Sequence, residues 1–213
     1  MEITWYGQSC FRLTERGSAS VVTDPFDHEA VGYNALKLKS DIVTVSHEAP
    51  GHNFESAVKG YKHLLNGPGE YEIGGVFVTG IRTNGKKEEG QLSNTLYVFD
   101  YDGITIAHLG DLRAVPSRSQ VDALGEVNVV LVPVGGGEGL NAAKAAEVVG
   151  VLSPNIIIPM NFETPDAKLP LDSLEKFLKE MGLGAVEAEE TIKVTKGSLP
   201  EDTRVVVLEY QKK

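Results

Sequence analysis

Two histidines set five positions apart, His47 and His52, follow the apolar run Ile42, Val43 and Val45. A carboxylate, Asp111, closes the later segment His108-Leu109-Gly110-Asp111. Imidazole and carboxylate suit Zn²⁺, Mn²⁺ or Fe²⁺. An ion so held polarises a carbonyl or phosphoryl group and brings the pKa of bound water toward neutrality. An offset of five does not give the i, i+4 geometry that places two histidines on one helix face. The loop around Pro50-Gly51 must therefore fold back if the two rings are to meet. Two solvated loop histidines are the plainer alternative.

Several other side chains bear on chemistry. Asp24 ends a strand, where a carboxylate commonly caps a turn. His108 is either a partner behind Asp111 or a hydrogen-bonding anchor for loop backbone. Cys10 would need a histidine within reach to act as a nucleophile, and otherwise is a small buried thiol. Glu70 and Glu72 share a strand face and are either an acid/base pair or solvated edge charges. Gly135-Gly136-Gly137-Glu138-Gly139 precedes a helix whose N-terminus would suit an anion, but it has neither P-loop nor dinucleotide spacing. His28 and His63 have no partner in the sequence and read as ordinary.

The elements that must position these groups fall into two regimes. Alternating apolar residues predict strands at 3–6, 10–13 and 19–23, an antiparallel meander, then an inner strand at 42–45. Weaker signals predict a short helix over 57–62 and a strand at 63–65. After the turn at 66–69 come strands at 71–73 and 76–81, a charged loop at 83–90, and strands at 94–99 and 103–107. From His108 onward strands and helices alternate: a helix after Pro116, a strand at 127–132, a helix over 141–152 and a strand at 155–159. A helix over 171–181 and a strand at 204–210 complete the series. Two sheets packed face to face with helices outside, a four-layer αβ/βα sandwich of the α/β class, satisfy this order. One domain covering 1–213 is expected.

The chain has 213 residues, 41% hydrophobic, enough for one buried core. Its net charge of −10 argues against a nonspecific nucleic-acid binder but leaves room for a small, anionic ligand in a local pocket. No run approaches a membrane span, and Cys10 is the single cysteine, so a soluble cytoplasmic protein without an internal disulfide is expected. A homo-oligomer is compatible with all of this.

Taken together, the motifs resemble the metallo-β-lactamase superfamily, in the branch similar to L-ascorbate-6-phosphate lactonases. The resemblance rests on Trp5-Tyr6-Gly7-Gln8-Ser9-Cys10-Phe11, Thr23-Asp24-Pro25-Phe26, Val45-Ser46-His47 and Gly67-Pro68-Gly69-Glu70-Tyr71-Glu72. It continues through Asn94-Thr95, His108-Leu109-Gly110-Asp111-Leu112, Pro133-Val134-Gly135-Gly136 and Ile158-Pro159-Met160-Asn161. It implies a hydrolase in which a His-x-His-x-Asp-His loop, a later His, a bridging Asp and a final His bind two metal ions.

On that pattern His47 and His52 match the first and last loop ligands, and Asp111 the bridging carboxylate. Ala49 and Gly51 stand where a His and an Asp belong, and Asn161 stands at the final His. No His occurs between His63 and His108. Gln8 stands where related sequences often carry His, and Asp24 matches a position that supports the site from below. Three protein ligands plus water are usual for catalytic zinc. The expectation is a depleted centre holding no ion, or one weakly bound divalent ion (zinc or manganese) on His47, His52 and Asp111, with Asn161 a weak fourth. Two functional alternatives stand beside it: a hydrolase of a phosphorylated lactone, phosphoester or similar ester that uses this reduced shell, and a structural or interaction protein.

Overall fold

The computed structural model describes residues 1–83 and 93–212. The loop read at 83–90 lies, apart from Thr83, outside the described residues.

Two sheets carry the fold. The first has six strands in the order Ile192–Lys193, Glu2–Gly7, Cys10–Thr14, Val21–Thr23, Ile42–Thr44 and His63–Leu65. The second has seven, ordered Arg204–Val205, Ile156–Met160, Val129–Pro133, Thr105–His108, Asn94–Asp100, Val76–Thr83 and Gly69–Ile73. The opening meander is antiparallel, as the alternating pattern predicts, whereas Val21–Thr23, Ile42–Thr44 and His63–Leu65 run parallel. The second sheet is antiparallel up to Thr105–His108 and parallel beyond it. Continuous apolar runs such as Val129–Pro133 and Ile156–Met160 mark strands covered on both faces, which parallel sheets require.

The main core lies between the sheets. Trp5, Phe11 and Leu13 from the first meet Leu96, Tyr97 and Phe99 from the second, all essentially inaccessible to water. Each such side chain contributes on the order of 1.5–3 kcal/mol through burial, far more than any surface ion pair. Polar bonds fix the register between layers. Thr95 N–H donates to the Ser46 carbonyl at 2.8 Å, and the Tyr97 hydroxyl lies 2.9 Å from the Leu65 carbonyl and 3.2 Å from that of Val45. The helices Arg118–Leu124, Ala142–Leu152 and Leu174–Glu180 accompany the second sheet. The outer face of the first has a thinner cover: Cys10, Val22 and Val43 pack against Phe26, Val31, Tyr33, Leu38 and Val58, with one four-residue helix, His28–Val31.

Three local expectations are corrected. The helix at 57–62 is instead a 3-10 turn, Glu55–Ala57, followed by the strand Val58–Lys59, paired with Leu38–Lys39. β-branched Val58 favours extension, and Gly60 at φ 81° ends the segment. The helix expected from 171 starts at Leu174, because Asp172 is engaged outside it: its N–H donates to the Gly135 carbonyl and its carbonyl accepts from Glu163 N–H. The closing strand is split into Arg204–Val205 and Val207–Leu208, which pair in different sheets, while Val206 N–H donates to Ile157.

Candidate functional site

The candidate residues sit at the C-terminal ends of parallel strands, where an open α/β layer leaves a crevice. Val21–Thr23 delivers Asp24, Ile42–Thr44 delivers Ser46 and His47, and Thr105–His108 delivers Asp111. Val129–Pro133 leads to Gly136 and Gly137, Ile156–Met160 to Asn161, and the first hairpin contributes Gln8. Asn94 ties this rim together by accepting Asp111 N–H at 2.9 Å and donating to the Leu109 carbonyl at 3.0 Å. Gly110 must be glycine: its φ is 57°, and a Cβ there would lie 2.4 Å from Asn94 Oδ1.

The loop does fold back. His52 N–H donates to the Ala49 carbonyl at 2.8 Å, Asp27 N–H donates to Pro50, and the His47 and His52 ring centroids come within 4.0 Å at an interplanar angle of 48°. Asp24, fully buried beneath them, holds His52 directly and His47 through Ser46. Its Oδ1 accepts Ser46 N–H at 2.7 Å, and its Oδ2 accepts Ser46 Oγ–H at 2.6 Å and His52 Nδ1–H at 2.8 Å.

These bonds settle the tautomers. A carboxylate accepts only, so His52 carries its proton on Nδ1. Ser46 spends its one hydroxyl proton on Asp24, so the 3.1 Å contact with His47 Nδ1 requires that nitrogen to donate. On each ring Nε2 lies outside these bonds. Burial, the adjacent His52 and, to a smaller extent, Arg113 lower the His47 pKa to about 4 against the opposing pull of Asp24 and Asp111, which keeps it neutral. Burial raises the Asp24 pKa, but His108, His52 and Ser46 outweigh it and hold the carboxyl below its ordinary range.

His47, His52, Asp111, Asn161 and Gln8 line one cavity of ≈560 Å³, completed by Val31, Pro50, Gly136 and Leu171. Asp24 and His108 lie behind that wall. His108 takes the backbone-anchoring role: its Nε2–H donates to the Ser9 carbonyl at 2.9 Å, and burial lowers its pKa. Cys10 is wholly buried, and burial followed by Asp24 raises its pKa well above the ordinary value, leaving an unreactive thiol. Glu70 and Glu72 are exposed on an edge strand. A second cavity of ≈580 Å³, beside Phe162, Glu190 and Tyr210, has no histidine on its wall.

Two features escaped the sequence. Arg113, two residues beyond Asp111, places Nε 3.3 Å and Nη2 3.2 Å from Asp111 Oδ2, while Nη2 also donates to Glu138 Oε2 at 2.6 Å. The signal was a cation beside the one acidic ligand candidate. Backbone strain is the other: Gln8, Asp24 and Asn161 have φ of 49°, 39° and 52°, three of the five described non-glycine residues in the left-handed region.

The residues do not fit a chelated ion. Among the described residues no group of three or more His, Cys, Asp or Glu converges so as to hold a metal. Two imidazoles fall short of three protein ligands, and Arg113 engages the Asp111 carboxylate.

Residues 2–161 match the beta-lactamase superfamily domain. A UPF0173 protein of Pyrococcus furiosus is 29% identical over 203 residues, 85% of this chain and 90% of that one. A Pyrococcus abyssi relative named a UPF0173 metal-dependent hydrolase is 30% identical over 196 residues, 77% of this chain and 85% of the relative. A Thermotoga maritima crystal structure, proposed to be a Zn-dependent hydrolase of the metallo-beta-lactamase superfamily, superposes with TM-score 0.82 at 34% identity, covering 99% of each chain. With this fold, crevice and match, the chain belongs to the metallo-β-lactamase superfamily.

Proposed function

We propose that this protein binds a small polar ligand in the cavity above His47 and His52, with a depleted metal centre and little or no hydrolysis of its own. The observation that carries the reading is a pair of buried, unpartnered amide atoms on the cavity-lining residues: Gln8 Nε2, a donor, and Asn161 Oδ1, an acceptor. An unpaired buried polar atom costs about 1–3 kcal/mol. Turning these side chains toward the cavity would bring Gln8 to a ligand oxygen and Asn161 to a ligand N–H or O–H, and so remove both costs. Small carboxamides carry both groups and a small carboxylate carries the one Gln8 needs, and Val31, Pro50 and Leu171 would cover their apolar parts.

His47, held neutral, keeps an Nε2 lone pair for this chemistry, so it accepts a hydrogen bond or takes up a proton from a bound hydroxyl. Ser46 holds His47 in that tautomer, and Asp24 holds His52.

The second reading is metal-dependent hydrolysis, favoured by the names of the relatives. The two part in one experiment: elemental analysis of gently purified protein, with hydrolysis of a phosphorylated lactone and a phosphoester measured before and after chelation. Little bound transition metal and a chelator-insensitive baseline are expected. Near-stoichiometric zinc or manganese, with hydrolysis abolished by the chelator, would overturn the proposal. The ligand itself is sought by thermal-shift titration with small carboxylates and carboxamides, repeated on Gln8→Met.

A further inference from the structure

Asp111 is the one acidic side chain among the ligand candidates on the cavity wall, and what it binds in this chain is a guanidinium. Two nitrogens of Arg113, Nε and Nη2, converge on the same oxygen, Oδ2, at 3.3 and 3.2 Å, and Nη2 also donates to Glu138 Oε2 at 2.6 Å. The Arg113 and Asp111 side chains are mostly buried, at 23% and 15% exposure, so this contact is shielded from water in a way the Glu138 arm, 79% exposed, is not. The other oxygen of Asp111 rests over Gly139, where a Cβ would approach to 2.8 Å, so the carboxylate is confined on that side by a residue with no side chain. Arg113 lines the same cavity as His47 and His52 and lies within electrostatic reach of the His47 ring.

We propose that Arg113 is the built-in cation of this centre, holding the Asp111 carboxylate in place of a divalent ion and keeping such ions out. A guanidinium is permanently charged and its fork suits a carboxylate, so it neutralises Asp111 at every working pH. A divalent ion entering beside it meets like charge at short range and finds its one anionic ligand engaged. The mismatch between a metal-binding fold and a ligand set that holds no metal thus has a positive counterpart: the charge the ion would supply comes from the chain. This inference rests on the depleted-centre reading given above and goes beyond it by naming the residue that enforces it.

The test removes the charge and asks whether an ion can replace it. In Arg113→Met, Mn²⁺ or Zn²⁺ is expected to raise the melting temperature and to bind, by calorimetric titration, at least about tenfold more tightly than to the natural chain. That gain is expected to vanish in the Arg113→Met, Asp111→Asn double variant. Glu138→Gln, at an exposed position that does not threaten folding, is expected to give a smaller gain by loosening the guanidinium, and it decides the matter if Arg113→Met does not fold. A folded Arg113→Met that binds no more metal than the natural chain overturns the role of Arg113 and leaves the depleted-centre reading standing. Absence of any gain in Glu138→Gln, where that variant has to decide, overturns it equally. Tight stoichiometric metal in the natural chain, with Arg113 present, overturns both.

Discussion

Asp24 Oδ2 lies 2.8 Å from His52 Nδ1, a hydrogen bond whose carboxylate is fully buried. It joins the end of the strand Val21–Thr23 to the far side of the 47–52 loop, and the same carboxylate takes two bonds from Ser46. Asp24→Asn would turn one acceptor into a donor facing N–H or O–H groups. We expect a loss of about 3 kcal/mol in urea unfolding, since one buried partner of a network is removed and the others are left unpaired. An unchanged midpoint would show that the loop is held by other means.

The pH dependence follows from His47. Its folded pKa, lowered to about 4 by burial and by His52, lies below the ordinary 6.5, so the unfolded chain binds more protons between those values. Stability is therefore complete above pH 6.5 and falls as pH drops toward 4, by on the order of 3 kcal/mol at most. Asp24, also lowered, extends the loss to still lower pH. His47→Asn, whose amide keeps a donor for Ser46, is expected to flatten the upper part of this slope. Denaturant midpoints measured across that range check it, and identical slopes would reject the assignment.

Gly110→Ala should cost about 2–4 kcal/mol, combining a left-handed backbone with a Cβ driven onto Asn94 and Ser46. The control is Gly182→Ala, also at positive φ, 70°, but with nothing within 4 Å of its Cβ. If the two variants melt together, close packing at Gly110 is not what that position guards.

Gln8→Met keeps length and removes the unpartnered buried Nε2. A gain of about 1 kcal/mol in stability is expected, together with weaker binding of any carboxylate or carboxamide that stabilises the natural chain. A variant less stable than the natural protein would mean that the amide has a partner in solution.

The succession of most strands and the packing of two sheets could be read from the sequence because apolar periodicity records which faces are buried. Where that record was local it misled. Val58 packs in the outer cluster as part of a strand paired with Leu38–Lys39, and Asp172 is drawn into the loop by Gly135 and Glu163, long-range contacts that a local pattern does not record. The meeting of His47 and His52 was legible as a requirement on Pro50-Gly51, but the agent that fixes the rings, the buried pair Asp24 and Ser46, was only half so. Asp24 carried a recognisable position, whereas the role of Ser46 depends on where its hydroxyl points. Arg113 was invisible for a similar reason: an arginine two residues after an aspartate is ordinary until the loop curls it back onto that carboxylate and Glu138.

The imidazoles of this centre are held by Asp24 and Ser46, and the turns at Gln8, Asp24 and Asn161 are bent by the chain itself. The frame thus has hydrogen bonds of its own making, unlike small domains whose ligands gather only around their metal. For protein engineering this makes the molecule a preshaped chassis: residues introduced at 49, 51 or 161 inherit a mould already cast, and new chemistry there begins from an ordered cavity.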